Sequence, residues 1–287
     1  SYTKNKENGP QYRTLSKAVG LSGLETHYTA HTVQSSKLPL SLACLRNTSA
    51  QSLGLNELQL HCEKYVNAAT VTQEQAEAIE VRTRLQHKSP EWYVWRAGRI
   101  TASMMHAVFA TSVEKPAVSV INCVCYPDNP VYNVQTTWGL EHEQDARHAY
   151  TQIMSARHQN LQVGASPVGL TMCACCGKGC LEIKCPFKYR SDSIQQALDA
   201  GLNLKRTHPF HSQVQTQIFV ANAKHCDLVV WTPKDMAVVR IFPDVHFWEP
   251  CLKKAQQFFQ KVCHPELKHF SMRNAALSAH KGFLSGV

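Results

Sequence analysis

The chain has 287 residues, 44% of them hydrophobic and 18% charged, a globular composition that excludes a wholly disordered chain. Lys and Arg number 30 against 21 Asp and Glu, a formal charge of +9, so the surface suits a polyanionic partner. No apolar run of about 18 residues occurs, so no membrane span is expected. The start, Ser1-Tyr2-Thr3-Lys4, lacks the apolar stretch of a signal peptide. The 12 cysteines are accordingly read as reduced thiols of a protein inside the cell, in nucleus or cytoplasm.

Residues 1–70 scatter Leu and Ala among Ser, Thr and Asn and read as a helical or irregular N-terminal region. A folded domain is expected over 71–270, with a tail at 271–287. Thr72 with Gln75 fits a capping box, and a helix should run to about Leu85. Pro90 breaks the pattern, and Trp92 to Arg96 reads as a short apolar turn. Thr101 should cap a helix bearing Met104, Met105, Val108 and Phe109. The segment 118–125 fits strand or helix equally. A helix should start near Thr137 with a stripe of Leu140, Glu143, Ala146, Tyr150 and Ile153 at three- and four-residue spacing. That stripe puts a carboxylate on an apolar face, which is costly unless it is paired or binds a metal.

A strand is expected at 161–166, then a Cys- and Gly-rich hairpin tip at 171–179, then a strand at 180–185. Glu182 and Lys184 are two apart in it and share a face of the sheet, one that the Glu143 helix could cover. Helices follow at 192–200 and 209–221, strands at 226–231 and 236–242, and a last helix at 249–263. This order implies an α/β (α+β) fold with one mixed sheet flanked by helices.

Glu143, Glu182 and Lys184 could therefore converge. Two carboxylates suit a hard divalent cation such as Mg²⁺, with Mn²⁺ as a substitute. A Lys beside them can stabilise a developing hydroxide or a phosphoryl oxygen. In a basic protein that combination points to phosphodiester hydrolysis. The plainer reading is a buried Glu–Lys ion pair that only joins helix to strand.

The wider sequence favours the first reading. Glu182-Ile183-Lys184-Cys185-Pro186-Phe187, preceded by Ser166-Pro167-x-Gly169-Leu170, resembles the lambda-type phage exonucleases and the YqaJ-type viral recombinases, which are PD-(D/E)XK nucleases. Three further blocks agree in order. They are Trp92 to Ser103, ending Ile-Thr-Ala-Ser, then Trp138-Gly139-x-x-x-Glu143-x-x-Ala146, then His211-Ser212-Gln213-Val214-Gln215.

The resemblance implies a PD-(D/E)XK core and roles for single residues. Glu143, Glu182 and the backbone carbonyl of Ile183 would bind the metal. Lys184 would orient or deprotonate the attacking water, and Gln213 would help hold the site. Arg96 and Ser103 would contact the end of a DNA strand at a 5′ phosphate. The implied activity is a 5′-to-3′ exonuclease acting on duplex DNA ends in recombination or repair. Phage members of the family form rings around DNA, so a homo-oligomer is a further expectation.

One position departs from the family. Its Ser-Pro-Asp-Gly turn supplies a central metal ligand, and here that Asp is Val168. Valine can neither bind a metal nor accept a proton, so activity should be weakened or lost. Asp227 and Glu141 are the candidate substitutes. The alternative function is a catalytically inactive protein that binds DNA ends on the same fold. A third reading is an interaction module in which the three charged groups form an ion network.

Two other signals are weighed more simply. Cys173, Cys176 and Cys180 have gaps resembling a zinc knuckle, but are read as reduced thiols rather than a structural Zn²⁺ site. His142, His148 and His158 are read as ordinary hydrogen-bonding side chains. Trp92, Trp95 and Trp138 are read as core.

Overall fold

The computed structural model describes residues 38–39, 41–45, 71–127, 133–164, 169–192, 194 and 204–269. Most of the N-terminal region, most of the helix expected at 192–200 and the tail at 271–287 lie outside the described residues. The contacts divide the chain into two units, one holding Val131–Asp244 and the other Ser36–Pro130 with Val245–Val287.

The first unit is a mixed five-stranded sheet with strands in the order β1 (Gln162–Val163), β2 (Gly169–Cys173), β3 (Gly177–Lys184), β4 (Cys226–Trp231) and β5 (Met236–Ile241). β3 and β4 run parallel, and the other neighbours run antiparallel. This is the mixed sheet expected from the order of elements. The β2–β3 hairpin is tighter than expected, because Thr171 pairs with Gly179 and Cys173 with Gly177, leaving only residues 174–176 as the tip. Gly179 is required there: a Cβ would lie 2.5 Å from His225 Nε2 and 2.6 Å from Thr171 Oγ1.

Two helices sandwich this sheet. Helix α5 (Val134–Ser155) packs Tyr150 and Met154 against Leu181 and Val229 on one face. Helix α6 (Pro209–Val220) packs Val214 and Ile218 against Cys180, Leu228 and Val230 on the other. Helix α5 begins three residues before the expected Thr137. Asn133 caps it, accepting from the Thr136 amide at 2.8 Å while its own amide donates to Thr136 Oγ1 at 3.0 Å. Its buried stripe is Ala146, Tyr150 and Met154, at strict four-residue spacing, so Leu140 and Ile153 are turned outward.

The second unit is helical. Helix α1 (Gln73–Thr83) has the expected capping box of Thr72 and Gln75. Helix α2 (Pro90–Arg96) starts at Pro90 instead of being broken by it, because a proline at the first helical position lacks only an amide that would be unbonded anyway. A 3₁₀ turn at Ala102–Met104 leads into α3 (Met105–Ala110). The ambiguous segment is a helix, α4 (Val118–Cys125), burying Val120, Ile121, Val124 and Cys125.

Helix α7 (Val245–Phe258) starts before the expected Glu249 and carries Pro250 within it. A π-helical turn, Phe259–Cys263, joins it to α8 (His264–His269). Val108, Ile121, Val124, Phe258, Val262 and Leu267 form the core of this unit. Gly98, at φ +74°, is forced: a Cβ there would meet Leu267 Cδ1 at 2.4 Å. None of the described helices is long and apolar enough to cross a membrane.

One buried ion pair ties the sheet of the first unit to α5. Asp227 on β4 is fully buried and accepts from Arg240 Nε at 2.8 Å, Arg240 Nη2 at 2.9 Å and Tyr150 Oη at 2.7 Å. Burial alone would push its pKa up, but the Arg240 and Tyr150 hydrogen bonds outweigh that and hold it below the usual value. Asp227→Asn should therefore lower unfolding free energy by about 3 kcal/mol at neutral pH in urea denaturation. Because the folded pKa is depressed, this stabilisation is present above the unfolded value of about 3.9 and is lost as pH falls through the lower folded value. A difference between variant and parent that failed to shrink on acidification would contradict the assignment.

Candidate functional site

The site lies at the C-terminal end of β3. The pair Gly169 and Leu181 ends the described β2–β3 ladder, while Glu182, Ile183 and Lys184 continue beside Leu228, Val229 and Val230 of β4. The Cys180 amide donates to the His225 carbonyl at 2.9 Å, so even-numbered residues of β3 bond to β4 and odd-numbered ones face β2. The Ile183 carbonyl thus turns toward the side where the described pairing has stopped.

Alternation also sorts the side chains. Glu182 and Lys184 share the face of Cys180, which α6 covers, and Leu181 and Ile183 share the face that α5 covers. The expectation that the Glu143 helix would cover the Glu182 face is corrected by this arrangement. The apolar stripe of α5 takes Leu181 and Val229, and the polar pair falls to the glutamine-bearing α6. The groups still converge, because Glu143, Arg147, Gly169, Leu181, Glu182, Ile183 and Gln213 line one cavity of about 130 Å³.

Glu182 is 13% exposed and well compensated. Its Oε1 lies 2.7 Å from Lys184 Nζ and accepts from Gln213 Nε2 at 2.6 Å. Lys184 Nζ also donates to Gln213 Oε1 at 3.0 Å, which closes a triangle. Oε2 accepts from Gln217 Nε2. Gln217 is buried and was not singled out in the sequence; its signal was its place one helical turn after Gln213. Lys184 Nζ further sits 4.7 Å above the Phe210 ring.

Glu143 is half-buried and has its own cation. Arg147, one turn later, donates to it at 2.7 Å and to the Gly164 carbonyl at 2.8 Å. Arg147 therefore explains how a carboxylate sits beside an apolar stripe, and it too was missed. The donors around the cavity are two carboxylates and a carbonyl, an all-oxygen set that fits a hard divalent cation. Three donors on Glu182 leave room, since a carboxylate has about four acceptor positions.

Val168, where the resembled family has an Asp, lies outside the described residues, as do Ser166 and Pro167. Neither suggested substitute is available. Asp227 pairs in register with Leu181, so it points to the opposite face from Glu182 and is held by Arg240 and Tyr150. Glu141 is exposed and lines a separate hollow of about 400 Å³ with Trp138 and Phe187. Trp138 stacks on His142 at 3.7 Å there. Trp92, Trp95 and Trp138 are partly buried and lie outside the fully buried core clusters, short of the core positions that the sequence suggested.

Arg96 and Ser103 belong to the helical unit. The structure links them through Thr101, whose Oγ1 is 3.3 Å from Arg96 Nη2 and 3.1 Å from Ser103 Oγ. The Arg96 guanidinium also lies 4.1 Å over the Trp92 ring, and burial lowers its pKa. Ser103 is exposed. One guanidinium and two hydroxyls side by side form a donor group suited to a phosphate.

Residues 91–224 match the model of the YqaJ-like viral recombinase domain, a span that begins in the helical unit and ends in the sheet unit. Among solved structures the chain is similar to an alkaline exonuclease (LHK-Exo) from Laribacter hongkongensis, at 20% identity and a TM-score of 0.46, over 67% of this chain and 99% of that one. The same exonuclease in complex with dAMP matches at 19% identity, with the same TM-score of 0.46 and the same coverage, 67% and 99%. No curated protein matches significantly.

Gln217→Leu tests the newly found support of Glu182. It removes the donor to Oε2 of a carboxylate that is mostly buried, and should cost about 1–3 kcal/mol of stability by urea denaturation. An unchanged midpoint would mean that solvent replaces the amide.

Proposed function

Taking residues 91–224 as a YqaJ-like viral recombinase domain, we propose that the chain acts on duplex DNA ends through a metal-dependent exonuclease site, with Val168 weakening or abolishing turnover. The carrying observation is the single cavity that gathers Glu143, Glu182, Ile183 and Gln213, with Lys184 Nζ at 2.7 Å from Glu182. Glu143, Glu182 and the Ile183 carbonyl would hold Mg²⁺ or Mn²⁺. Such an ion, when bound, supplies polarisation of the scissile phosphate and acidifies a water.

The chain's own residues then divide the work. Lys184 is tethered by Gln213 and Glu182, so its amino group is held where the ammonium form can orient the attacking water and the neutral amine form can accept its proton. Gln213 and Gln217 fix the rotamer of Glu182 from one helix face, which keeps a ligand in place before a substrate arrives. Arg96 and Ser103 are assigned the 5′ phosphate of the strand end, and with it the 5′-to-3′ direction. A role in recombination or repair follows from that substrate.

Val168 favours a second reading, a DNA-end binding protein without turnover. The two differ in rate and not in affinity, since both predict salt-sensitive binding to DNA ends. The decisive assay is release of nucleotides from a 5′-phosphorylated linear duplex in Mg²⁺, for the chain beside Val168→Asp. Digestion by the Asp variant alone assigns the site and makes the parent a disabled nuclease. Digestion by both would mean that a further group completes the metal site. Binding of ends by both with digestion by neither favours the second reading. In whichever form is active, Lys184→Met should reduce release by about 10²-fold or more while leaving end binding intact.

A further inference from the structure

We propose that His158, Cys173, Cys175 and Cys176 form a structural zinc site that clamps the β2–β3 hairpin to the end of α5, a site separate from the one that would hold Mg²⁺. Among the described residues these four side chains bring their ligand atoms within 4.8 Å of one another. Cys175 and Cys176 are two of the three tip residues, and Cys173 is the last residue of β2. His158 follows the last turn of α5, where its amide donates to the Met154 carbonyl at 2.9 Å. The Ala174 amide donates to the Gln159 carbonyl at 3.0 Å, so the backbone already holds the two segments together.

Five of the six spacings among these ligand atoms lie near those of a tetrahedron, and the sixth, between Cys173 and Cys176, is within 4.8 Å. Zinc–ligand bonds of the usual length imply tetrahedral edges of about 3.8 Å between two sulfurs and about 3.6 Å between sulfur and nitrogen. Here Sγ–Sγ is 3.5 Å for Cys173 with Cys175 and 3.7 Å for Cys175 with Cys176. His158 Nδ1 lies 3.7, 3.1 and 3.5 Å from the sulfurs of Cys173, Cys175 and Cys176. A disulfide would need sulfurs about 2 Å apart and would leave the third thiol and the imidazole unexplained.

The surroundings suit thiolates. The Cys176 amide donates to Cys173 Sγ at 3.3 Å, and Arg240 Nη1 donates to Cys176 Sγ at 3.3 Å. Three thiolates and a dication leave one net negative charge, and Arg240 faces it. Supporting donors of this kind hold ligand orientation in metal sites. Three soft sulfurs with one imidazole select zinc over a hard cation, and four protein ligands leave no open position, as in structural sites.

Cys180, which sequence spacing had grouped with Cys173 and Cys176, is excluded. It is fully buried in the α6 face of the sheet, with its thiol against the Gln217 carbonyl at 3.6 Å. The fourth ligand is instead His158, fifteen residues before the first cysteine and so outside any local motif.

The test is metal analysis of the chain purified without chelator, alongside His158→Asn with Cys175→Ser. About one zinc per parent chain and a marked loss in the double variant are expected. Because the variant could fail to fold, cobalt is also added to the chelator-stripped parent, where intense visible ligand-field bands of a tetrahedral sulfur-rich site should appear and be bleached by zinc. Folded parent chain with no zinc and no such bands overturns the proposal. Full zinc retention by a folded double variant overturns the ligand set. Neither readout depends on nuclease activity, so the zinc site and the nuclease reading can fail separately.

Discussion

The candidate site depends on a carboxylate that is almost out of water at the end of a central strand. Glu182 is 13% exposed, and an isolated charge there would be unstable. Lys184, Gln213 and Gln217 satisfy it, and all three positions follow from where Glu182 stands. Lys184 is its same-face neighbour on β3. The two glutamines are one turn apart on α6, the helix that covers that face. The same requirement explains why α6 carries amides among its apolar residues: Val214 and Ile218 seal the sheet while Gln213 and Gln217 reach the carboxylate. Stability and chemistry therefore draw on one helix, and a change on α6 acts on both.

A second constraint is the charge balance at the end of β3. Up to Gly169 the odd-numbered residues of β3 spend their backbone groups on β2. Ile183 lines the cavity with Glu143 and Arg147. Each acidic group in the cavity has a cation of its own, Lys184 for Glu182 and Arg147 for Glu143. A divalent ion entering the site must compete with these partners.

Much of this was legible in sequence where a rule acts locally. The two-residue spacing of Glu182 and Lys184 fixes a shared face in any strand. The Thr72 and Gln75 box and the strands 226–231 and 236–242 rest on nearest neighbours in the chain. What was not legible depended on tertiary choices. Period alone cannot say which helix covers which face, so the Glu143 helix was placed over the wrong one. Pro90 ends one pattern and begins another helix, and only the structure says which role dominates. Asn133 with Thr136 caps α5 through a pairing that replaces the usual Glu or Gln with Thr. Gln217 and Arg147 look like ordinary helix polar residues until their partners are placed.

The β2–β3 hairpin then has two functional ends. At one end Gly169, Leu181 and Glu182 line the cavity; at the other its tip gathers three thiols against His158 from the end of α5. Helix α5 carries Glu143 in its middle, so a clamp at its end restrains the helix that brings one carboxylate toward the other. Arg240 joins the tip to the sheet core, because its Nε and Nη2 bind Asp227 while its Nη1 faces Cys176. A fork with donors in fixed directions can serve both partners at once, which a lysine could not. Asp227 in turn holds Tyr150 of α5. The tip, the sheet and the Glu143 helix are thus connected by one continuous chain of polar contacts through residues that do not line the cavity, so the geometry of the cavity can be held from a distance without using its own carboxylates.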